Sequence, residues 1–307
     1  MDGKEGETMR RAGTILLLLL PMMLQARHLF ELGLHGGLAG YDAQPVYVST
    51  QVGWHGGAHL YYDYLSPYVV GLRTGVTIDG LQAGFGKLNY EDAYSTIDVE
   101  EQQMDIAYTI GNLRERYTTW SVGVPLQLAL TRNRFLFLAG AKAVFPLTNS
   151  WKQTVEHAAL SVYYPEYDNK VEESFPLAAS RDFSMTQTGK IHLPTVQWWL
   201  ALELSYVLPV QQTKTHHSYL VFGAYFDYCF SKITPSNNLA ESLIMLTDTR
   251  DGFPLHRLLT PVMEGNRHGR KLVSDCTLFD VGIKISYALS PYDPRSRRSY
   301  NCHCDVF

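Results

Sequence analysis

The chain has 307 residues, 46% of them hydrophobic, 12% aromatic and 18% charged, which excludes both a disordered segment and a long coiled coil. A formal net charge of −4, with a pI near 6.3, lacks the basic field that a nucleic-acid partner requires, so none is expected. Beyond the first 26 positions no run of 18 apolar residues occurs, which excludes spanning helices and leaves a soluble protein or a membrane β-barrel.

The chain opens on a targeting pattern. Arg10 and Arg11 precede an apolar run from Ile15 to Leu20, then Pro21, Met22, Met23, Leu24 and the small residue Ala26. This reads as a signal peptide over residues 1–26, cleaved after Ala26. The uninterrupted run is too short for a spanning anchor, which needs roughly 20 residues. No cysteine stands directly after it, so a lipoprotein anchor is not supported. Met9 is an alternative start, and the leader's charges balance, which leaves the mature net charge unchanged.

Eight runs with a period of two follow, near 28–40, 46–63, 67–86, 116–130, 134–147, 191–209, 218–231 and 275–289. In the first, Phe30, Leu32, Leu34 and Leu38 oppose Glu31 and His35; in the second, Val52, Trp54, Ala58, Leu60 and Tyr62 oppose Gln51, His55 and His59. The third sets Val70, Leu72, Val76 and Ile78 against Gly71, Arg73, Gly75 and Asp79. Trp120 to Leu128 on even positions oppose Ser121, Gly123 and Gln127, and Phe135 to Phe145 on odd positions oppose Gly140 and Lys142. The sixth run places Trp198, Leu200, Leu202, Leu204 and Tyr206 opposite Glu203 and Ser205, and the eighth places Phe279 to Leu289 on odd positions opposite Asp280 and Lys284. No apolar face carries a charge.

The runs are long for globular strands of about 5 or 6 residues and suit tilted membrane-crossing strands of roughly 9 to 11. Connections alternate, short after the second, fourth and sixth runs and about 30 to 40 residues after the third, fifth and seventh; only the first, around Tyr41 to Pro45, breaks the parity. The expectation is an all-β fold: an eight-stranded antiparallel up-and-down transmembrane β-barrel over residues 27–289, with three long extracellular loops and a short periplasmic tail at 290–307. Alternation alone also fits a soluble sandwich or an exported lipocalin-like binding barrel. The leader, strand length, loop parity and terminal aromatics favour the membrane. Tyr61, Tyr62, Tyr64 and Tyr68 flank the Ser66-Pro67 turn, and Tyr62, Trp54, Trp198, Tyr206 and Tyr287 are the expected membrane-interface aromatics.

The segments Val122-Gly123-Val124-Pro125-Leu126-Gln127-Leu128, Tyr163-Tyr164-Pro165-Glu166-Tyr167-Asp168-Asn169, Gly223-Ala224-Tyr225-Phe226-Asp227-Tyr228 and Val281-Gly282-Ile283-Lys284 resemble eight-stranded outer-membrane barrels. The nearest in pattern form the N-terminal half of some outer membrane protein A-like proteins, and the likeness covers most of residues 28–289. It implies a surface-exposed integral protein of the outer membrane with no enzymatic site. Unlike the longer members, the chain has about 18 residues after its last run, too few for a peptidoglycan-binding domain.

Such a barrel turns Arg73, Lys142 and Lys284 into its lumen with Glu31, Asp79, Glu203, Asp227 and Asp280. Eight strands leave space for side chains rather than a wide pore, so these groups are expected to pair as an ionic plug, either purely structural or a gate. Arg73, Lys142, Glu203, Asp280 and Lys284 are expected to share one belt at mid-height. His35, His55 and His59 share the lumen face. His55 and His59, about 13 Å apart along one strand, cannot chelate together, so no metal and no cofactor is expected. The segment Leu88 to Glu115, with Glu91, Asp92, Asp98, Glu100, Glu101, Asp105 and Glu115 against Arg114, is expected to be a solvated acidic loop without calcium-loop spacing. His216 and His217 are expected in a periplasmic turn. Cys302, His303 and Cys304 lack a second half-site for a metal, and Phe307, the terminal aromatic that the resemblance implies barrel-assembly machinery reads, lies beyond the last run. The hydrolase serine elbow, the phosphate-binding glycine loop and the zinc-protease His-Glu motif are all absent, so no enzyme is expected. The reading is a monomeric integral outer-membrane protein of a Gram-negative bacterium, structural or surface-interacting. Its partners are outer-membrane lipid, the barrel-assembly machinery and an unidentified extracellular ligand, with a small-solute porin as the alternative.

Overall fold

The computed structural model describes residues 27–45, 49–65, 70–97, 101–167, 169–170, 185–212, 216–231, 243, 255–259 and 273–291. The leader at 1–26, the Ser66-Pro67 turn and the tail from 292, with Cys302, His303, Cys304 and Phe307, lie outside the described residues.

Eleven strands are described: β1 (Arg27–Pro45), β2 (Ser49–Leu65), β3 (Val70–Ile97), β4 (Gln103–Arg132), β5 (Phe135–Val155), β6 (His157–Tyr164), β7 (Asn169–Lys170), β8 (Met185–Lys190), β9 (Gln197–Gln212), β10 (His216–Cys229) and β11 (Val273–Pro291). Eight of them close a ring in the order β1-β2-β3-β4-β5-β9-β10-β11, and β11 pairs back onto β1 from Phe30↔Leu289 to Pro45↔Val273. Every pairing is antiparallel. This is the expected eight-stranded up-and-down transmembrane barrel, with no free edge in the ring. β2–β3, β4–β5 and β9–β10 are joined at one end by four, two and three residues, and the long connections leave from the other end.

Alternation gives the wall two chemically opposite faces. Outward, Leu32 is 64% exposed, Leu126 63% and Ile283 73%, whereas inward Glu31 is 1% exposed and Arg73 0%. A soluble barrel would reverse this, because each exposed aliphatic side chain forgoes about 1.5–3 kcal/mol of burial in water. On β5 the outward series runs from Phe135 to Leu147; with ~3.3 Å per residue and a tilt near 45°, it covers roughly 28 Å, close to the apolar band of outer-membrane barrels. Tyr62, Tyr206 and Tyr287 lie toward the short-turn end, opposite Phe30, Phe135 and Leu32 in register, and Trp54, Trp120 and Trp198 lie toward the other end.

One expectation changes. The strands β3 and β4 are 28 and 30 residues long, so the segment expected as an acidic loop is largely a hairpin continuing the barrel wall. β6 adds to the extended part of β4, from Asp105↔Tyr163 to Gly111↔His157, and β8 adds to β5. The runs at 67–86 and 116–130 end where the alternation changes phase. Lys87 and Asn112 adopt left-handed backbone (φ 59 and 53), and the β3–β4 register shifts beside them. Inward residues are therefore Leu81, Ala83 and Phe85 before the break and Leu88 and Tyr90 after it, matched on β4 by Tyr117, Glu115 and Leu113, then Ile110, Tyr108 and Ile106.

The interior is layered. At the short-turn end, Leu29, Leu65, Ala129, Leu136, Leu138, Val207, Tyr219, Val221 and Ala288 form an apolar floor. At the other end a larger apolar cluster includes Tyr41 stacked on Phe85 (centroids 4.9 Å) and Leu243, Leu255, Leu258 and Leu259 from the long connection before β11. Between the two layers lie the charges.

Candidate functional site

Arg73, fully buried, is the hub of the lumen. Its Nε and Nη2 donate to Asp63 Oδ1 (2.5 Å) and Oδ2 (2.9 Å), Nη2 also donates to Glu31 Oε2 (2.5 Å), and Nη1 donates to Glu203 Oε1 and Oε2 (2.9 and 3.0 Å). Lys284 Nζ joins from β11, donating to Glu31 Oε1 (2.8 Å) and lying 2.5 Å from Glu203 Oε1. Tyr61 lies beneath both cations, its ring centroid 4.9 Å from Arg73 Cζ and 5.3 Å from Lys284 Nζ. Two cations thus meet three carboxylates from β1, β2 and β9, in the low dielectric where paired, hydrogen-bonded charges are tolerated.

A second group surrounds Lys142, whose Nζ lies 3.0 Å from Asp79 Oδ2 and 3.4 Å from Asp227 Oδ2. Gly123 makes room for it, since a Cβ there would fall 2.5 Å from Lys142 Cε. Thr77 Oγ1 donates to Asp79 Oδ2 (2.6 Å). Asp280 turns instead toward His55, with Oδ1 at 3.4 Å from His55 Nδ1, and this buried oxygen has no hydrogen-bond partner. The five residues expected in one belt therefore do not share one group: Arg73 and Lys284 share Glu203, Lys142 pairs with Asp79 and Asp227, and Asp280 turns toward His55.

Histidines join the groups. His35 Nε2 lies 2.8 Å from Asp79 Oδ1, and its Nδ1 lies 3.3 Å from His59 Nδ1. His59 Nε2 reaches Ser286 Oγ at 2.8 Å and Glu31 Oε1 at 3.4 Å. His55 Nδ1 lies 2.9 Å from Tyr225 Oη. His35, His55 and Asp79 each present one ligand-type atom within 4.8 Å of the others. A cavity of about 30 Å³, the size of a water or two, opens among His35, His55, His59, Tyr61, Lys142 and Tyr225.

All eight expected lumen residues, Glu31, Arg73, Asp79, Lys142, Glu203, Asp227, Asp280 and Lys284, face inward. Asp63, Tyr61 and Tyr225 were not anticipated. Asp63 has the parity of His55 and His59, so continuing the alternation toward the turn would have found it, and it raises the lumen carboxylates from five to six. Of the expected interface aromatics, Trp54, Trp198 and Tyr287 are 44%, 49% and 44% exposed, whereas Tyr62 and Tyr206 are half-buried; Tyr62 Oη meets His28 Nδ1 at 2.6 Å.

Above the lumen, Glu115 corrects the picture of a solvated acidic segment. It is 1% exposed, accepts from the Leu258 N–H (3.0 Å) and from Gln153 Nε2 (2.9 Å), and burial pushes its carboxyl up to about 8, the two donors restraining the rise. Glu115 therefore pins the inserted Leu258 segment to the barrel mouth.

No protein-family model and no curated protein sequence matches the chain. Among solved structures it is similar to Ail, the attachment invasion locus protein of Yersinia pestis. Alone, Ail matches with 10% identity and a TM-score of 0.25, over 84% of this chain and 98% of Ail. Ail in complex with the heparin analogue sucrose octasulfate matches with 10% identity and a TM-score of 0.24, over the same shares. The membrane reading stands on the closed ring and its two faces rather than on these likenesses.

Proposed function

We propose that this chain is a monomeric integral barrel of a Gram-negative outer membrane, with a structural or surface-interaction role and a lumen closed by an ionic plug. The observation that carries the reading is the Arg73 group, in which β1, β2, β3, β9 and β11 exchange ion pairs across the lumen. A conducting path through it would require breaking contacts that buried charges cannot forgo. The apolar layers above and below the charges support the same conclusion.

The short-turn end is read as periplasmic and the β3–β4 hairpin as extracellular, offering Glu91, Asp105 and the 67%-exposed Ile97 to a partner. Lipid covers the outward band, and the barrel-assembly machinery inserts it. No enzymatic step belongs to this reading.

Planar-bilayer recording on the purified protein tests the plug. Wild type is expected to be silent, and stepwise conductance or liposome swelling would establish the small-solute porin instead. If Lys142→Ala or Glu203→Gln opens steps in a silent background, the plug is a gate; silence in both makes it structural. Orientation is checked on intact cells, where a membrane-impermeant maleimide is expected to label Glu91→Cys. Labelling that requires permeabilised cells would reverse the assignment.

A further inference from the structure

We propose that His35, His55 and Asp79 form a lumenal site for one divalent transition-metal ion of the zinc class. The three residues come from neighbouring strands. In register His35 lies opposite Gly57 and Gly57 opposite Asp79, so one row across β1, β2 and β3 reads His, Gly, Asp. The missing side chain at Gly57 lets the outer two meet, since a Cβ there would fall 2.8 Å from Asp79 Oδ1 and 3.0 Å from His35 Cε1. His55, two positions along β2, closes the triangle, its Nε2 3.9 Å from Asp79 Oδ1. Two imidazoles and a carboxylate suit zinc, and the nitrogen donors count against calcium and magnesium.

The surroundings match what a metal-bound histidine needs, which is a partner for its other nitrogen. Binding through Nε2 places the proton of each ring on Nδ1. His35 Nδ1 then donates to His59 Nδ1 at 3.3 Å, and His59 Nε2 passes the pattern on to Ser286 Oγ at 2.8 Å. His55 Nδ1 has Tyr225 Oη at 2.9 Å to accept its proton, with Asp280 Oδ1 3.4 Å away. Asp79 keeps Oδ1 toward the histidines because Lys142 and Thr77 occupy Oδ2.

Charge points the same way. Glu31, Asp63, Asp79, Asp227 and Asp280 are buried with Arg73, Lys142 and Lys284, and Glu203 is half-buried beside them. Six carboxyl groups share three cations, and a divalent ion adds positive charge at Asp79, which otherwise shares Lys142 with Asp227. The rule that His55 and His59 cannot chelate together still holds; the ion draws its ligands across strands instead. The apolar layers imply that the ion enters as the ring closes and exchanges slowly afterwards.

The test measures metal in protein extracted from membranes, and in protein refolded from urea into detergent with Zn²⁺ or Co²⁺. About one ion per chain is expected, with visible ligand-field absorption for Co²⁺, retention against chelator while folded and release on unfolding. His35→Gln and Asp79→Asn should each weaken binding about 10-fold or more, while His192→Gln, at an exposed site outside the lumen, should leave it unchanged. Heat-modifiable migration identifies any variant that fails to fold. Wild-type protein that refolds without taking up stoichiometric Zn²⁺ or Co²⁺ overturns the proposal by itself, as does undiminished binding in a folded His35→Gln, His55→Gln double variant. Neither result depends on whether the lumen conducts.

Discussion

The two halves of the β3–β4 hairpin obey opposite rules. Below Trp120, the inward side chains are Arg73, Thr77, Asp79 and Gln127 and the outward ones Leu72, Ile78, Leu126 and Leu128; beyond it, the inward ones are Phe85, Leu88, Ile106, Ile110 and Leu113 and the outward ones include Glu91 and Arg116. The same continuous backbone therefore has a polar interior at one level and an apolar interior at another. The medium outside decides: where lipid surrounds the wall, charges gather inside and must pair, and where water surrounds it, apolar groups take the inside and the hydrophobic effect operates as usual. Stability at the charged level of the lower half thus depends on pairing, and at the apolar floor and in the upper half on packing.

Substitutions can break this contrast level by level. The largest effect is expected for Arg73→Ala, which leaves Glu31, Asp63 and Glu203 buried around a missing cation; the loss should be about 3–5 kcal/mol in urea unfolding from detergent, or failure to give the heat-modifiable band. Lys substituted at Leu202, on the lipid face at mid-strand, should cost about 2–4 kcal/mol in the same assay, whereas Lys at exposed Glu91 should cost almost nothing. In the upper half, Leu258→Ala should weaken packing by about 2–4 kcal/mol, read as faster proteolysis near 255–259 with the heat-modifiable band of the ring intact. A uniform effect on the whole barrel would show that the two halves are one cooperative unit.

A pH dependence separates the upper half from the lower in another way. With the Glu115 carboxyl held at about 8 when buried and near 4.5 when free, the undocked state ionises first as pH rises. Docking of the Leu258 segment should be strongest below about pH 4.5, weaken steadily to pH 8 and level off above it. Glu115→Gln should flatten this profile in amide-exchange or limited-proteolysis measurements, and a slope that survives the substitution would assign it to another group.

Much of the ring was legible because lipid and lumen impose a strict period of two, and eight inward charges could be placed from parity alone. Three things were not. Asp63 is hidden because Tyr61, Tyr62 and Tyr64 around it blur the polar–apolar alternation next to the turn. The extension of β3 and β4 was hidden by the phase change at Lys87 and Asn112, which leaves each half regular but the whole irregular. The grouping of charges was hidden because parity tells which face a side chain occupies and nothing of its height or its neighbour across the lumen. Gly57 shows the gap: it matters only through the register that places His35 on one side of it and Asp79 on the other. Likewise Leu243 and Leu258 belong to a long connection whose sequence has no period to mark them as core.

The left-handed residues Lys87 and Asn112 act as a matched pair of one-residue slips, one in each arm of the hairpin. Removing either alone would leave one arm out of step, turning its outer half over so that Leu88 and Tyr90, or Ile106, Tyr108 and Ile110, met water while Glu91 or Asp105 pointed inward. Removing both would restore step and invert the whole outer hairpin. Length changes in this hairpin are therefore tolerated only in compensating pairs or beyond its tip, so natural variation in the exposed part should come as substitutions along the arms and insertions at the end.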